Sequence, residues 1–278
     1  TSIECPPAQT IEPASGDCEI QVPDLTGQLI TLCGSYEQID QTPAPGTMLG
    51  LGTHTIGISV VNGGGYVSSC VTNITVDGLP CGFNDPGNQG VGSSSGSVSY
   101  NPDNGVFAVN STNGGSSTTS DIVFFIPQQL CGDGEITAEI TSISSNGFAG
   151  VMMRETVDPG AKKFAIYTNF GANVKREIRV NTNGAANIGQ IYRPNSRWLR
   201  IRRIGNSLTA FASTNGISWS MLISASFGMT DCIQVGLATY SLSPSIPVYA
   251  TFDNVQVIDY APLIDPSGGN QSLSAPEV

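Results

Sequence analysis

His54-Thr55-Ile56-Gly57-Ile58-Ser59-Val60 places an apolar residue at every second position from Ile56, and Val71-Thr72-Asn73-Ile74-Thr75-Val76 repeats the rhythm. A period of two is that of a half-buried β-strand, because successive side chains point to opposite faces. Between the two stretches lies Asn62-Gly63-Gly64-Gly65, a turn composition. Further upstream, 17–23 and 29–33 read as strands, and Pro43-Ala44-Pro45-Gly46 as another turn. About seven short strands in some eighty residues is the pattern of an immunoglobulin-like sandwich.

The rest of the chain reads the same way. Only 12% of its 278 residues are charged, while Gly (33) and Pro (17) are plentiful, so an all-β fold with many turns is expected. No long i, i+3, i+4 apolar pattern competes with it. Residues 80–260 form a second expected unit, opening on the Gly- and Ser-rich loop 84–99. Its strands are expected at 104–110, 121–126, 134–144, 148–155, 163–169, 174–181, 187–192, 197–203, 207–213, 233–240 and 248–258. That many strands in one unit point to a jelly roll or concanavalin-like sandwich. Residues 261–278 are polar and read as a linker or tail.

The net charge of −11 argues against nucleic acid as a partner. No apolar run is long enough to span a membrane as a helix. The charges are segregated: all eleven Lys and Arg fall between Arg154 and Arg203, and residues 1–80 carry eight acids and no cation. Seven cysteines occur without a C-x-x-C pair, and there is one histidine, His54, so a zinc site is not expected. Scattered cysteines in a turn-rich β protein fit disulfides in an oxidising compartment, hence an extracellular or cell-surface location. The odd count leaves one cysteine free or paired outside the chain.

Two stretches resemble known families. Ile3-Glu4-Cys5-Pro6, Cys18, Cys33, Pro45-Gly46-Thr47, Leu51-Gly52-Thr53-His54-Thr55 and Ser69-Cys70 through Val76-Asp77 resemble a hyalin repeat (HYR) domain over residues 3–77. The resemblance implies an immunoglobulin-like module of adhesion and bacterial surface proteins, without enzyme activity. Asn62-Gly63-Gly64-Gly65-Tyr66 departs from the family, which usually has an Asp-containing turn there, so no ligand role is carried over to it. Gly134-Glu135-Ile136-Thr137-Ala138, Gly150 to Glu155, Trp198 to Arg203, Ser213 to Trp219, Val235-Gly236-Leu237 and Phe252-Asp253-Asn254-Val255 resemble bacterial laminin-G/concanavalin-like modules over about 130–258. That resemblance implies fold, not function, since the fold carries lectins, glycosidases and spacers alike. In the immunoglobulin-like frame Cys5 and Cys70 open the first and last strands near one end, so a Cys5–Cys70 disulfide is expected, with Cys18–Cys33 beside it. In the second unit Cys131–Cys232 is the first choice and Cys81–Cys131 the second.

Catalysis is poorly provided for. A Ser–His–Asp triad would have to use the single histidine, His54. Glu135 and Glu139 are four apart in a strand, so their backbones lie roughly 13 Å apart along it, too far for a glycosidase pair. The Arg-rich strands are the better signal. The pleat puts Trp198, Arg200 and Arg202 on one face, and Arg154, Arg176, Arg179 and Tyr192 are expected to join them. Aromatic rings with Arg forks stack on sugars and grip carboxylates or sulfates. Alternatives are a solvated face paired with Glu155 and Glu177, or a basic face that docks on an acidic first module. No cofactor is required. A structural calcium ion would use Asp253 with Asp103 or Asp121.

The expected function is thus a non-catalytic structural or adhesive module of a bacterial cell-surface or filament protein. Its partners would be other copies or neighbouring modules, since Ser274 to Val278 running into Thr1 to Pro6 would enter another hyalin repeat. The alternative is a module binding anionic polysaccharide through the Arg/aromatic face.

Overall fold

The computed structural model describes residues 2–116, 119–260, 263–264 and 270–271. The expected tail, 261–278, lies almost wholly outside them. The chain divides into two compact units, Thr1–Gly82 with Tyr100–Asn104, and Phe83–Ser99 with Gly105–Val278. The boundary expected after residue 79 thus moves to Gly82, and Cys81 gives the reason: it is bonded to Cys18. No described helix is long and apolar enough to cross a membrane.

The smaller unit contains β1 (Ser2–Glu4), β2 (Gln9–Ile11), β3 (Glu19–Gln21), β4 (Ile30–Cys33), β5 (Gln38–Thr42), β6 (Met48–Gly50), β7 (Gly52–Val61) and β8 (Val67–Val76). A four-stranded sheet runs β2-β8-β7-β5, with two-stranded ribbons β1-β4 and β3-β6. The alternation that opened the sequence has its cause here. Ile56, Ile58, Ile74 and Val76 point inward and pack with Val22, Leu25 and Leu49, while their neighbours face out. Cys5 and Cys70 are bonded to each other and pack against this core. The expected Cys18–Cys33 pairing is not formed, because Cys18 is joined to Cys81. The segment after β8 returns to the turn at Gly16, where Gly82 N–H donates to the Gly16 carbonyl, and this brings the two sulfurs together.

The larger unit contains β9 (Ser95–Asn101), β10 (Val106–Thr112), β11 (Gly115–Ser116), β12 (Asp121–Ile122), β13 (Phe124–Cys131), β14 (Gly134–Ile143), β15 (Gly147–Arg154), β16 (Lys163–Thr168), β17 (Asn173–Arg179), β18 (Asn187–Tyr192), β19 (Trp198–Ile204), β20 (Ser207–Ser213), β21 (Ser220–Ser226), β22 (Cys232–Ser241) and β23 (Val248–Asp259). Two sheets form a sandwich, β21-β20-β19-β14-β23-β10-β9 and β13-β22-β15-β16-β17-β18. Leu199, Ile201, Ile136, Ile140 and Phe252 of the first sheet, and Phe124, Val151, Phe164, Ile166 and Leu237 of the second, are fully buried between them. Cys131 and Cys232, directly opposed on β13 and β22, are bonded.

The six-stranded sheet departs from the usual in-out pattern. Every residue of β16 is buried, as is nearly every residue of β15 and β22. The face turned away from the sandwich core carries its own apolar cluster, Val91, Val123, Phe125, Met152, Ala165, Tyr167, Ala238 and Tyr240. The Val91–Val123 bridge closes over it.

Candidate functional site

That outer face of the six-stranded sheet holds a buried ion network. The register sets Arg154 opposite Lys163 and Lys163 opposite Arg179, with Glu177 opposite Ala165 and Lys175 opposite Tyr167. Alternation then puts all five charged side chains on one face. Asp121 enters from β12 and is gripped by the Arg179 fork at 2.8 and 2.9 Å. Lys163 Nζ lies 2.9 Å from the same carboxylate, and Arg154 Nη1 3.5 Å. Glu177 is held by Lys163 at 2.5 Å and Lys175 at 2.8 Å. The Lys175 ammonium also donates to the Tyr240 hydroxyl.

The remaining Arg donors reach backbone. Arg154 donates to the carbonyls of Thr156 and Asp158, and Arg179 to those of Pro159, Ala161 and Gly184. The network therefore fastens the loops 155–162 and 180–186 to the sheet. Asp121 N–H donates to Pro159 O, adding its own loop.

Burial shapes the protonation of these groups. It lowers the Arg154 guanidinium, against the attraction of Asp121. It pushes up the Tyr167 and Tyr240 phenols, with the Glu177 charge adding to the effect, so both stay neutral. Burial also raises Glu177, but Lys163 and Lys175 together outweigh it and hold the carboxyl below its ordinary 4.5. A carboxylate lowered by folding contributes stability above its unfolded pKa and loses it as pH falls through the folded value. Glu177→Gln is therefore expected to be less stable than the parent at neutral pH, with the gap closing below about pH 4. A gap in urea melts that stays constant into acid would exclude this pairing.

At one margin the network reaches solvent. Phe148 stacks on Tyr240 with centroids 5.4 Å apart, and Lys175 Nζ sits over both rings at 5.3 and 4.8 Å. The Lys175 side chain is 16% exposed. Asn173, hydrogen-bonded to Gln190, and Tyr192, 68% exposed, continue the same face toward the sheet edge.

These positions correct the expected Arg face. Arg154 and Arg179 are fully buried and cannot meet a ligand at the surface. Arg176 is on the opposite side of β17, donating to Asn187. Trp198, Arg200 and Arg202 belong to the other sheet. There Arg202 and Arg200 flank Glu135 at 3.0 and 3.5 Å, Arg200 donates to Thr137, and its guanidinium lies 4.1 Å over the Trp219 ring. Tyr260 also bonds Glu135, and its phenol, mainly through burial, is pushed up to about 12. Trp219 is tucked under its hairpin, with Nε1 donating to Gly216 O. Gly216, at φ +72°, lies so close that a Cβ would stand 2.8 Å from the Trp198 ring. This face is an internally satisfied ladder. The cations segregated in the sequence are largely counter-ions of Asp121, Glu177 and Glu135, so the basic surface expected to dock on an acidic module is mostly consumed.

The calcium expectation also loses a ligand. Asp121 is surrounded by three cations, so a calcium ion there would meet repulsion. Asp253 caps its neighbour, accepting from Asn254 N–H, and Asp103 is exposed in the β9–β10 turn. Among the described residues no group of three or more His, Cys, Asp or Glu is placed to hold a metal. Glu139 accepts from Asn254, and His54 bonds the Gly50 carbonyl.

No family model matches the sequence, and no curated protein matches it. Solved structures with a similar chain path include a functionally unknown protein from Saccharomyces cerevisiae, 17% identical, covering 62% of this chain and 94% of that one, with a TM-score of 0.48. A carbohydrate-binding module from Bacillus subtilis is 16% identical over 63% of this chain and 94% of that one, TM-score 0.40. A Bacillus licheniformis beta-glucanase is 12% identical over 66% and 94%, TM-score 0.43. At these identities the likeness concerns the β-sandwich alone.

Proposed function

We propose that this chain is a non-catalytic extracellular module whose larger unit holds an anionic polysaccharide, as an adhesive part of a bacterial cell-surface or filament protein. The observation that carries the reading is the open margin at Lys175, Phe148 and Tyr192, with the buried Tyr240 ring beneath it. It borders a cluster in which four cations face two carboxylates. Such a cluster attracts a carboxylate or sulfate, and the neighbouring rings and amides suit a sugar ring. Strongly perturbed groups concentrated on one sheet face are also typical of a functional site. Support for a non-catalytic role is that the buried carboxylates Asp121, Glu135 and Glu177 are each engaged by neighbouring cations. The three disulfides fit an oxidising compartment. In this reading the smaller unit is a hyalin-repeat-type spacer.

The test is affinity electrophoresis through gels containing polygalacturonate, alginate or heparin. The parent chain is expected to be retarded, less so at high salt. Lys175→Ala is expected to weaken binding roughly ten- to a hundredfold, the worth of one hydrogen bond to a charged group. Tyr192→Ala, an exposed site, serves as the variant without a folding cost. Free migration of the parent in all three gels would overturn the proposal.

A further inference from the structure

We propose a second, independent polysaccharide site on the opposite side of the larger unit, selective for a neutral glycan. It is a groove of about 360 Å³ on the outer face of the seven-stranded sheet, within the size range of small-ligand sites. Its walls include Ser97, Ser99, Asn110, Ser142, Tyr249 and Thr251. The register explains how it forms: Asn110 lies opposite Tyr249, and Ala108 and Ser142 flank Thr251 from either side. The groove therefore crosses β14, β23, β10 and β9, and the short side chain of Ala108 gives it depth.

Tyr249 is its platform. The side chain is 59% exposed, although it stands mid-sheet on a strand whose neighbours Val248 and Ala250 are buried. Its backbone is held at both ends by Ser144, whose hydroxyl accepts from Tyr249 N–H at 3.1 Å and whose N–H donates to Tyr249 O at 2.9 Å. A ring fixed at its base and open on its face stacks on a pyranose with little loss of freedom. Around it, Ser97 accepts from Asn110 Nδ2 at 3.0 Å, and Ser142 and Thr141 each meet the Thr251 hydroxyl at 2.6 Å. Each hydroxyl keeps unused bonding capacity, since it carries one donor and two acceptor positions. These are the partners sugar hydroxyls need.

No residue lining the groove is ionised, and this selects the ligand class. Nothing here grips a carboxylate or sulfate, so an anionic chain would lose hydration without compensation. A neutral chain loses only hydroxyl–water bonds that the Ser, Thr and Asn side chains replace.

The experiment is affinity electrophoresis in gels containing xylan, mixed-linkage β-glucan or mannan, with polygalacturonate as the charged comparison. The parent is expected to be retarded in at least one neutral gel, equally at low and high salt. Tyr249→Ala should weaken that retardation by about tenfold or more, and Tyr249→Phe should retain it. Lys175→Ala should leave it unchanged, which separates this site from the charged margin. Tyr249→Ala should also keep the parent's melting curve, because the ring is exposed. Free migration of the parent in every neutral gel, or retardation unaltered by Tyr249→Ala, would overturn the proposal whatever the charged gel reports.

Discussion

Asp121→Asn is expected to destabilise the larger unit by about 3–5 kcal/mol, the usual cost of removing one partner of a buried ion pair. The substitution conserves shape and deletes one negative charge. What remains is a buried group of Arg179, Lys163 and Arg154 whose shared counter-charge is gone. Lys163 keeps Glu177, but both arginines are then left with neutral acceptors, chiefly backbone carbonyls. A loss of this size in a unit of nearly two hundred residues lowers its melting temperature on the order of 10 °C. Asp253→Asn, at a carboxylate that accepts from its own neighbour's N–H and faces no cation among the described residues, is the comparison and should change little. Melting curves for the two variants that coincide would show that Asp121 carries no such charge balance.

The second large effect concerns the smaller unit. Replacing Cys5 and Cys70 together by Ser is expected to cost about 4 kcal/mol, the loop-entropy value for a closure of this length. The bond spans 65 residues, most of the unit, and leans on its core. A unit of about eighty residues buries too little apolar surface to absorb that loss easily. Urea unfolding of the intact chain should show the smaller unit's transition shifted to lower denaturant while the larger unit's stays in place. An unmoved first transition would mean that the core alone sustains the fold.

The sequence was most informative where one face is buried and the other wet. Ile56, Ile58 and Val60 keep their period because alternate positions meet the core. It was least informative at the two edges of the seven-stranded sheet. β9 falls partly in a stretch that reads as a Gly- and Ser-rich loop, and β21, Ser220–Ser226, gives no strand signal. Edge strands pair on one side only and bury little, so Ser and Gly suffice there. The site was legible in its residue types and not in their placement. Arg154 and Arg179 read as surface residues because charge ordinarily lies outside. Their counter-ion, Asp121, comes from a strand 58 residues before Arg179, and no spacing rule joins them. Tyr249 gave no signal at all: one aromatic in a strand says nothing of a groove until the flanking strands are set beside it.

The fastening of three loops to one carboxylate-centred network has a consequence for how this face comes apart. Segments near 121, 155–162 and 180–186 share the same few donors, so none of them can lift away while the others keep their bonds intact. Opening here is cooperative. The region behaves as a single unit of local unfolding, closed or released as a whole, rather than as three surface loops fraying on their own.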